Sequence, residues 1–172
     1  MNKIDKNIYL IGFMGTGKTT VAKILADDLG REFRETDEEI EKSEQKKIKD
    51  IFAEHGEKYF RQKEKAVLKR LSGERGLIVS CGGGVVIDPE NRDLLKVTGT
   101  VVCLTASPET IYQRTKGLDD RPLLNVSDPL GKIKELLVSR DEYYRETGHL
   151  IIDTDSLNPK DVAVRIKEGI PE

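Results

Sequence analysis

Between positions 12 and 19 the chain reads Gly12-Phe13-Met14-Gly15-Thr16-Gly17-Lys18-Thr19, with Thr20 next. Three glycines, a lysine and a hydroxyl at this spacing match G-x-x-x-x-G-K-[ST]. Glycine lets successive backbone N–H groups turn toward one anion, and a helix starting near Lys18 adds the positive end of its dipole. The implied chemistry is capture of a nucleoside triphosphate. Gly15, Thr16, Gly17 and Thr20 surround the phosphates, Lys18 reaches the β- and γ-phosphates, and the Thr19 hydroxyl binds Mg²⁺. This stretch is silent on where the phosphoryl group goes next.

The acceptor must be sought in the polar residues that follow. Asp37 ends a short strand candidate, where a carboxylate at the carboxyl edge of the sheet can accept or steer a hydroxyl proton. It also precedes "EEIE", so taken alone a helix cap is the simpler explanation. Arg61 and Glu64 stand one helical turn apart and can pair. Arg140, in "SRDEYYR", reads by itself as a surface arginine. Gly82, Gly83 and Gly84 close the run "LIVSC", and three glycines at a strand end let a backbone approach a ligand closely.

The elements that must position these residues alternate. "NIYLIGF", "REFRETD", "GLIVSC", "TVVCLT" and "HLIID" read as strands, the second weakest. Between them, "KTTVAKILADDLG" is amphipathic with Gly30 as its stop, and residues 48–73 read as a helix interrupted near Gly56. "DPENRDLLK" opens on Asp then Pro, and "SPETIYQRTK" has Ser107 as cap and Pro108 at the first position. Residues 130–146 and 158–169 complete the helices. Residues 117–129, "GLDDRPLLNVSDP", break the periodicity and read as a mobile loop. The pattern predicts an α/β three-layer sandwich with a five-stranded parallel sheet.

Composition narrows the function further. The chain has 172 residues, 35% charged and 37% hydrophobic, with a net charge of −2. One domain is expected from the length, and no global basic field argues for nucleic acid or an anionic membrane. Cys81 and Cys103 sit inside apolar runs, as buried core thiols do. His55 and His149 are too far apart to suggest a metal site. The first ten residues lack a leader's apolar stretch and no window suits a membrane span, so a cytoplasmic protein is expected.

Taken in order, "GFMGTGKTT", "TDEEIE", "IFAEHGEKYFRQKE", "SCGGGVV", "DRPLL" and "SRDEYYRE" resemble shikimate kinase, from about residue 8 to residue 159. The resemblance implies ATP-dependent phosphoryl transfer to the 3-hydroxyl of shikimate, giving shikimate 3-phosphate and ADP in aromatic amino-acid biosynthesis. It implies a P-loop fold of the nucleoside monophosphate kinase type, with a substrate-binding segment at about 36–64 and a lid at about 116–128. By that likeness Asp37 holds the shikimate hydroxyls and is the candidate base. Arg61 and Arg140 grip the carboxylate, Gly82, Gly83 and Gly84 close the pocket, and Phe52 and Phe60 pack on the ring. Arg121 swings in on the lid, and Arg114 lies near the adenine. The expected partners are shikimate, ATP and Mg²⁺, and the expected state is a monomer. Two positions depart from the family pattern. Glu35 stands where Asp usually contacts Mg²⁺ through water, and Leu157 replaces a basic residue near the adenine. A relative binding ligands without turnover, or a kinase for gluconate or a nucleoside monophosphate, are the competing readings.

Overall fold

The five apolar runs become five parallel strands in the computed structural model, which describes residues 6–170. The strands are β1 (Asn7–Ile11), β2 (Phe33–Glu35), β3 (Ile78–Ser80), β4 (Gly99–Thr105) and β5 (Leu150–Asp153). Residues 1–5, half of the stretch read for a leader, lie outside the described residues. The sheet order is β2-β3-β1-β4-β5, so β1 lies at the centre, with Tyr9 level with Val79 on one side and Val101 on the other. Parallel neighbours need crossover helices, and these cover both faces.

Strand alternation sorts the core into two layers. Ile8, Leu10, Ile78, Val102 and Leu104 face one side with Val21 and Leu25 of α1 (Lys18–Leu29) and Val162 and Ile166 of α7 (Pro159–Gly169). Tyr9, Ile11, Val79, Val101 and Cys103 face the other. There they meet Leu68 and Leu71 of α3 (Ile48–Ser72), Leu95 of α4 (Pro89–Thr98), Ile111 of α5 (Pro108–Thr115) and Ile133 and Tyr144 of α6 (Pro129–Thr147). Both cysteines are buried and free.

The helix ends follow their local chemistry. Asp88, Ser107, Asp128 and Asn158 each accept a backbone N–H at the start of a helix whose first position is proline. Gly30 ends α1 in the left-handed conformation, as its place in the sequence predicts. In α3, Gly56 breaks the helix at φ 79°, ψ 176°.

Two differences from the sequence reading lie beside the site. A helix, α2 (Thr36–Glu44), is not among the elements predicted from periodicity. β2 ends at Glu35, so Asp37 sits in the first turn of α2 rather than at a strand end. The cap position belongs to Glu35, which makes no side-chain capping bond, so the cap explanation of Asp37 falls away. The reason is composition. "TDEEIEKSE" holds one fully buried apolar residue, Ile40, and the helix is made by packing against α3. Within residues 117–129, Pro122–Leu124 form a 3-10 turn that buries Leu124. No described helix is long and apolar enough to cross a membrane.

Candidate active site

The loop after β1 is shaped by glycines at left-handed angles, φ 141° at Gly12, 79° at Gly15 and 94° at Gly17. At Gly12 a Cβ would stand 2.2 Å from the Leu104 carbonyl oxygen, so any side chain would push β1 from β4. Gly17 leads directly into α1, whose free N–H groups face the loop. Lys18 is buried and donates to the carbonyls of Gly12 at 2.8 Å and Phe13 at 2.9 Å. Burial, reinforced by the Arg121 guanidinium, lowers its ammonium to about 8. Two of its three N–H donors serve the loop, and one remains for a phosphate.

Beside Lys18 stands a group of oxygen donors. The Thr19 hydroxyl donates to Glu35 Oε1 at 2.8 Å and lies 3.3 Å from Ser80 Oγ. Burial raises the Glu35 carboxyl above its ordinary range, and the Thr19 bond partly opposes this. Ser80, at the end of β3, is a residue the sequence reading missed. Its signal is its place one strand over from the cradle.

A second pocket adjoins this one and shares Met14, Asp37, Gly82, Gly83 and Arg121 with it. Phe52 and Phe60 form its apolar wall, their ring centroids 4.8 Å apart. Arg61 enters from α3, donating to Glu64 Oε1 at 2.9 Å and to Glu57 Oε1 at 3.3 Å. Arg140 enters from α6, 3% exposed, its guanidinium 5.7 Å from the Phe13 ring centre. Asp37 separates the two pockets. Burial raises its carboxyl, while Arg121, Lys18 and Arg61 pull it back down. Glu64 is 1% exposed, and burial lifts it to about 7 despite Arg61.

The glycine triplet has a reason that sequence could not supply. A Cβ on Gly82 would stand 2.8 Å from Asp37 Oδ1 and 2.9 Å from Glu64 Oε2. One on Gly84 would stand 2.3 Å from the Arg61 guanidinium nitrogens. The missing side chains thus leave room for three of the protein's own charged groups.

The nucleotide-side candidates spread over two cavities. Gly15, Gly17, Lys18, Thr19, Thr20 and Glu35 line the phosphate pocket. Thr16 and Arg114 line a groove on the far side of the loop, with Leu157 and Thr154. Arg114 donates to the Gly15 carbonyl at 3.1 Å and to Thr154 Oγ1 at 3.1 Å. Thr154 itself carries no motif, and only the fold brings it there.

Among the described residues, six buried side-chain polar atoms lack a hydrogen-bond partner. Five of them belong to Asp37, Arg61, Glu64, Arg121 and Arg140. All five residues line the second pocket. Buried polar groups are normally paired, so such a cluster marks a place for a polar ligand. A phosphate loop at the tip of α1, open to a neighbouring pocket rich in arginine, defines a P-loop kinase acting on a small anionic acceptor.

The comparisons narrow the class. The family model described as shikimate kinase matches residues 14–171. A shikimate kinase from Persephonella marina is 47% identical over 161 residues, covering 94% of this chain and 96% of that protein. The solved structure of shikimate kinase from Acinetobacter baumannii in complex with shikimate superposes with a TM-score of 0.94 at 42% identity. It covers 96% of this chain and 93% of that one. The Aquifex aeolicus shikimate kinase structure gives a TM-score of 0.83 at 35% identity, with 95% of each chain covered. This chain belongs to the shikimate kinase family.

Proposed function

We propose that the chain transfers the γ-phosphoryl group of ATP to the 3-hydroxyl of shikimate, giving shikimate 3-phosphate and ADP, with the two adjoining pockets as donor and acceptor sites. The reaction serves aromatic amino-acid biosynthesis, in the cytoplasm. The observation that carries the assignment of sites is the set of five buried polar atoms around one cavity that lack a hydrogen-bond partner. Two guanidinium groups, Arg61 and Arg140, supply paired N–H donors for one carboxylate, a match of plane and charge that lysine cannot make. Phe52 and Phe60 cover the apolar face of the ring, and the backbone of Gly82, Gly83 and Gly84 forms the floor.

Asp37 stands between that cavity and Lys18. It accepts hydrogen bonds from the acceptor's hydroxyls and takes the 3-hydroxyl proton as the oxygen attacks. Its raised pKa favours proton uptake. Gly15, Thr16, Gly17, Thr20 and the start of α1 hold the phosphates by backbone N–H groups. Arg114 flanks the adenine groove, with Leu157 giving apolar contact in place of a charge. Lys18 and Arg121 neutralise charge that develops on the moving phosphoryl group.

The donor set beside Lys18 fits Mg²⁺. The Thr19 hydroxyl and the Glu35 carboxylate are hard oxygen donors already 2.8 Å apart, with Ser80 next to them. Few protein ligands are expected, because Mg²⁺ in such sites keeps waters and substrate phosphates. When bound, the ion neutralises the β- and γ-phosphates. The single domain is read as a core, a substrate-binding segment at about 36–64 and a lid at about 116–128 carrying Arg121. Closure of that lid excludes water as a competing acceptor.

The test is an ADP-release assay with ATP and Mg²⁺, run with shikimate, gluconate, AMP or no acceptor. Release that depends on shikimate is expected. Equal release without an acceptor overturns the reading, as does a preference for gluconate or AMP.

A further inference from the structure

In a planar trans peptide the carbonyl and the N–H that follows it point opposite ways, so holding the one aims the other. All described peptides are trans. The Gly82 carbonyl accepts from the Val85 N–H at 3.1 Å, and the Gly83 carbonyl accepts from the Tyr144 hydroxyl. The N–H groups of Gly83 and Gly84 lie at the far ends of those two peptides. Neither donates to another group among the described residues, and both glycines line the acceptor pocket.

Behind this floor, Val85–Ile87 form a 3-10 turn, and the Ile87 N–H donates to the Gly84 carbonyl at 3.1 Å. The carbonyls of the turn itself are taken by two residues of α4. Asn91 Nδ2 donates to Val85 at 3.1 Å, and Arg92 Nη1 donates to Val86 at 2.7 Å and to Ile87 at 3.2 Å. Arg92 also reaches α6, the helix that carries Arg140. Its Nε donates to Glu146 Oε1 at 2.8 Å, and its guanidinium lies 4.4 Å from the centre of the Tyr143 ring. Arg92 itself does not line the acceptor pocket.

We propose that Arg92 is a positioning residue for the acceptor: it ties the turn behind Gly83 and Gly84 to α6 and so fixes the two free N–H donors of the floor relative to Arg140. This rests on the proposed acceptor site and adds a residue to it. The physical argument is preorganisation. A floor and a wall held in register before the ligand arrives remove an ordering cost from binding. A guanidinium suits the task, because its five N–H groups form a rigid planar fork. Here that fork serves three acceptors on two elements and still lies over an aromatic ring. Methionine fills similar space and donates nothing.

The experiment is steady-state kinetics on Arg92→Met, Arg92→Lys, Leu95→Ala and Arg61→Ala, with a thermal melt of each. In Arg92→Met the KM for shikimate should rise about tenfold, the effect of one hydrogen bond to a charged group. The KM for ATP should stay within about twofold, because the phosphate loop is tied down by Lys18 instead. Leu95→Ala is the structural control: it empties core space under the same helix and removes no hydrogen bond. It should lower the melting temperature and leave the shikimate KM within about twofold. An unchanged shikimate KM in Arg92→Met, an equal rise for ATP, or an equal rise in Leu95→Ala overturns the proposal. Should Arg92→Met fail to fold, Arg92→Lys decides, since lysine keeps the charge and loses the fork. A shikimate KM raised about threefold or more supports the role, and an unchanged one overturns it. If Arg61→Ala leaves the shikimate KM unchanged, it is the acceptor site that fails instead. With ¹⁵N-glycine labelling, the Gly83 and Gly84 amide resonances should move in the Arg92 variant while those of Gly12, Gly15 and Gly17 stay put. No movement at Gly83 and Gly84 overturns the role.

Discussion

Arg61 and Glu64 are bound to each other at 2.9 Å on α3, yet each keeps one buried polar atom without a partner, Nε on the arginine and Oε2 on the glutamate. The pair is thus held in place and still incomplete. Glu64 Oε2 and Asp37 Oδ1 crowd the same point above Gly82. Burial raises the proton affinity of Glu64, and the neighbouring Asp37 carboxylate adds to it.

That arrangement predicts a pH-dependent stability. Burial lifts the Glu64 carboxyl to about 7 in the fold, from an ordinary value near 4.5. Below about 4.5 it is protonated whether folded or not. Between the two values only the folded chain keeps the proton, so stability should fall as pH rises through that window, by on the order of 3 kcal/mol. Urea unfolding of the ligand-free protein at pH 5 and pH 8 measures the fall. Glu64→Gln should flatten it, since the amide still accepts from Arg61 and has no proton to lose. An equal fall in the variant would assign the effect to other groups.

The proposed carboxylate grip predicts a selective loss. Arg61→Ala or Arg140→Ala should weaken shikimate binding by roughly 2–5 kcal/mol, the cost of removing one partner of a buried charge pair. Nucleotide affinity should be spared. Gly84→Ala should mimic Arg61→Ala, because its methyl group would meet the guanidinium at 2.3 Å and displace it. Calorimetric titration with shikimate and, separately, ADP checks all three. Equal loss for both ligands would make these residues structural.

Asp37 is predicted to govern chemistry more than nucleotide binding. Asp37→Asn keeps the shape and removes the proton acceptor, so turnover should be abolished while ATP still binds. Near-full activity in that variant would remove Asp37 from the mechanism.

Glu35 should set the requirement for Mg²⁺. With its carboxylate removed in Glu35→Ala, the Mg²⁺ concentration at half-maximal rate should rise at least about tenfold, the size seen when a supporting ligand is lost. Glu35→Asp should recover most of it, since the shorter carboxylate leaves room for a bridging water. Rates measured against free Mg²⁺ decide, and an unchanged curve in the alanine variant removes Glu35 from the site.

Lid closure should appear as protection. Amides at 116–128 should exchange more slowly with ADP and shikimate together than in the free protein. Unchanged exchange there would count against closure.

Much of this was legible before folding. The spacing from Gly12 to Thr19 carries its own local instruction, because glycine torsions and a helix start are short-range matters. The same holds for Asp88, Ser107 and Asn158, each a cap followed by proline, and for Gly56, where the helix breaks. The alternation of apolar runs with amphipathic stretches determined the parallel sheet, since such strands can be buried only between two helical layers. What only the tertiary structure decided is which distant charges meet. Arg61, Arg140 and Arg121 look like ordinary surface residues in the sequence, because nothing local distinguishes a guanidinium that lines a pocket from a solvated one. Helix α2 was only half legible: the acidic run after Asp37 suits a first turn, but the bounds of the helix depend on packing against α3. The triplet Gly82, Gly83 and Gly84 announced a close approach, but Asp37, Glu64 and Arg61 converge on it only when α2 and α3 pack over the end of β3. Close contacts between residues tens of positions apart are set by the whole sheet, and no local pattern encodes them.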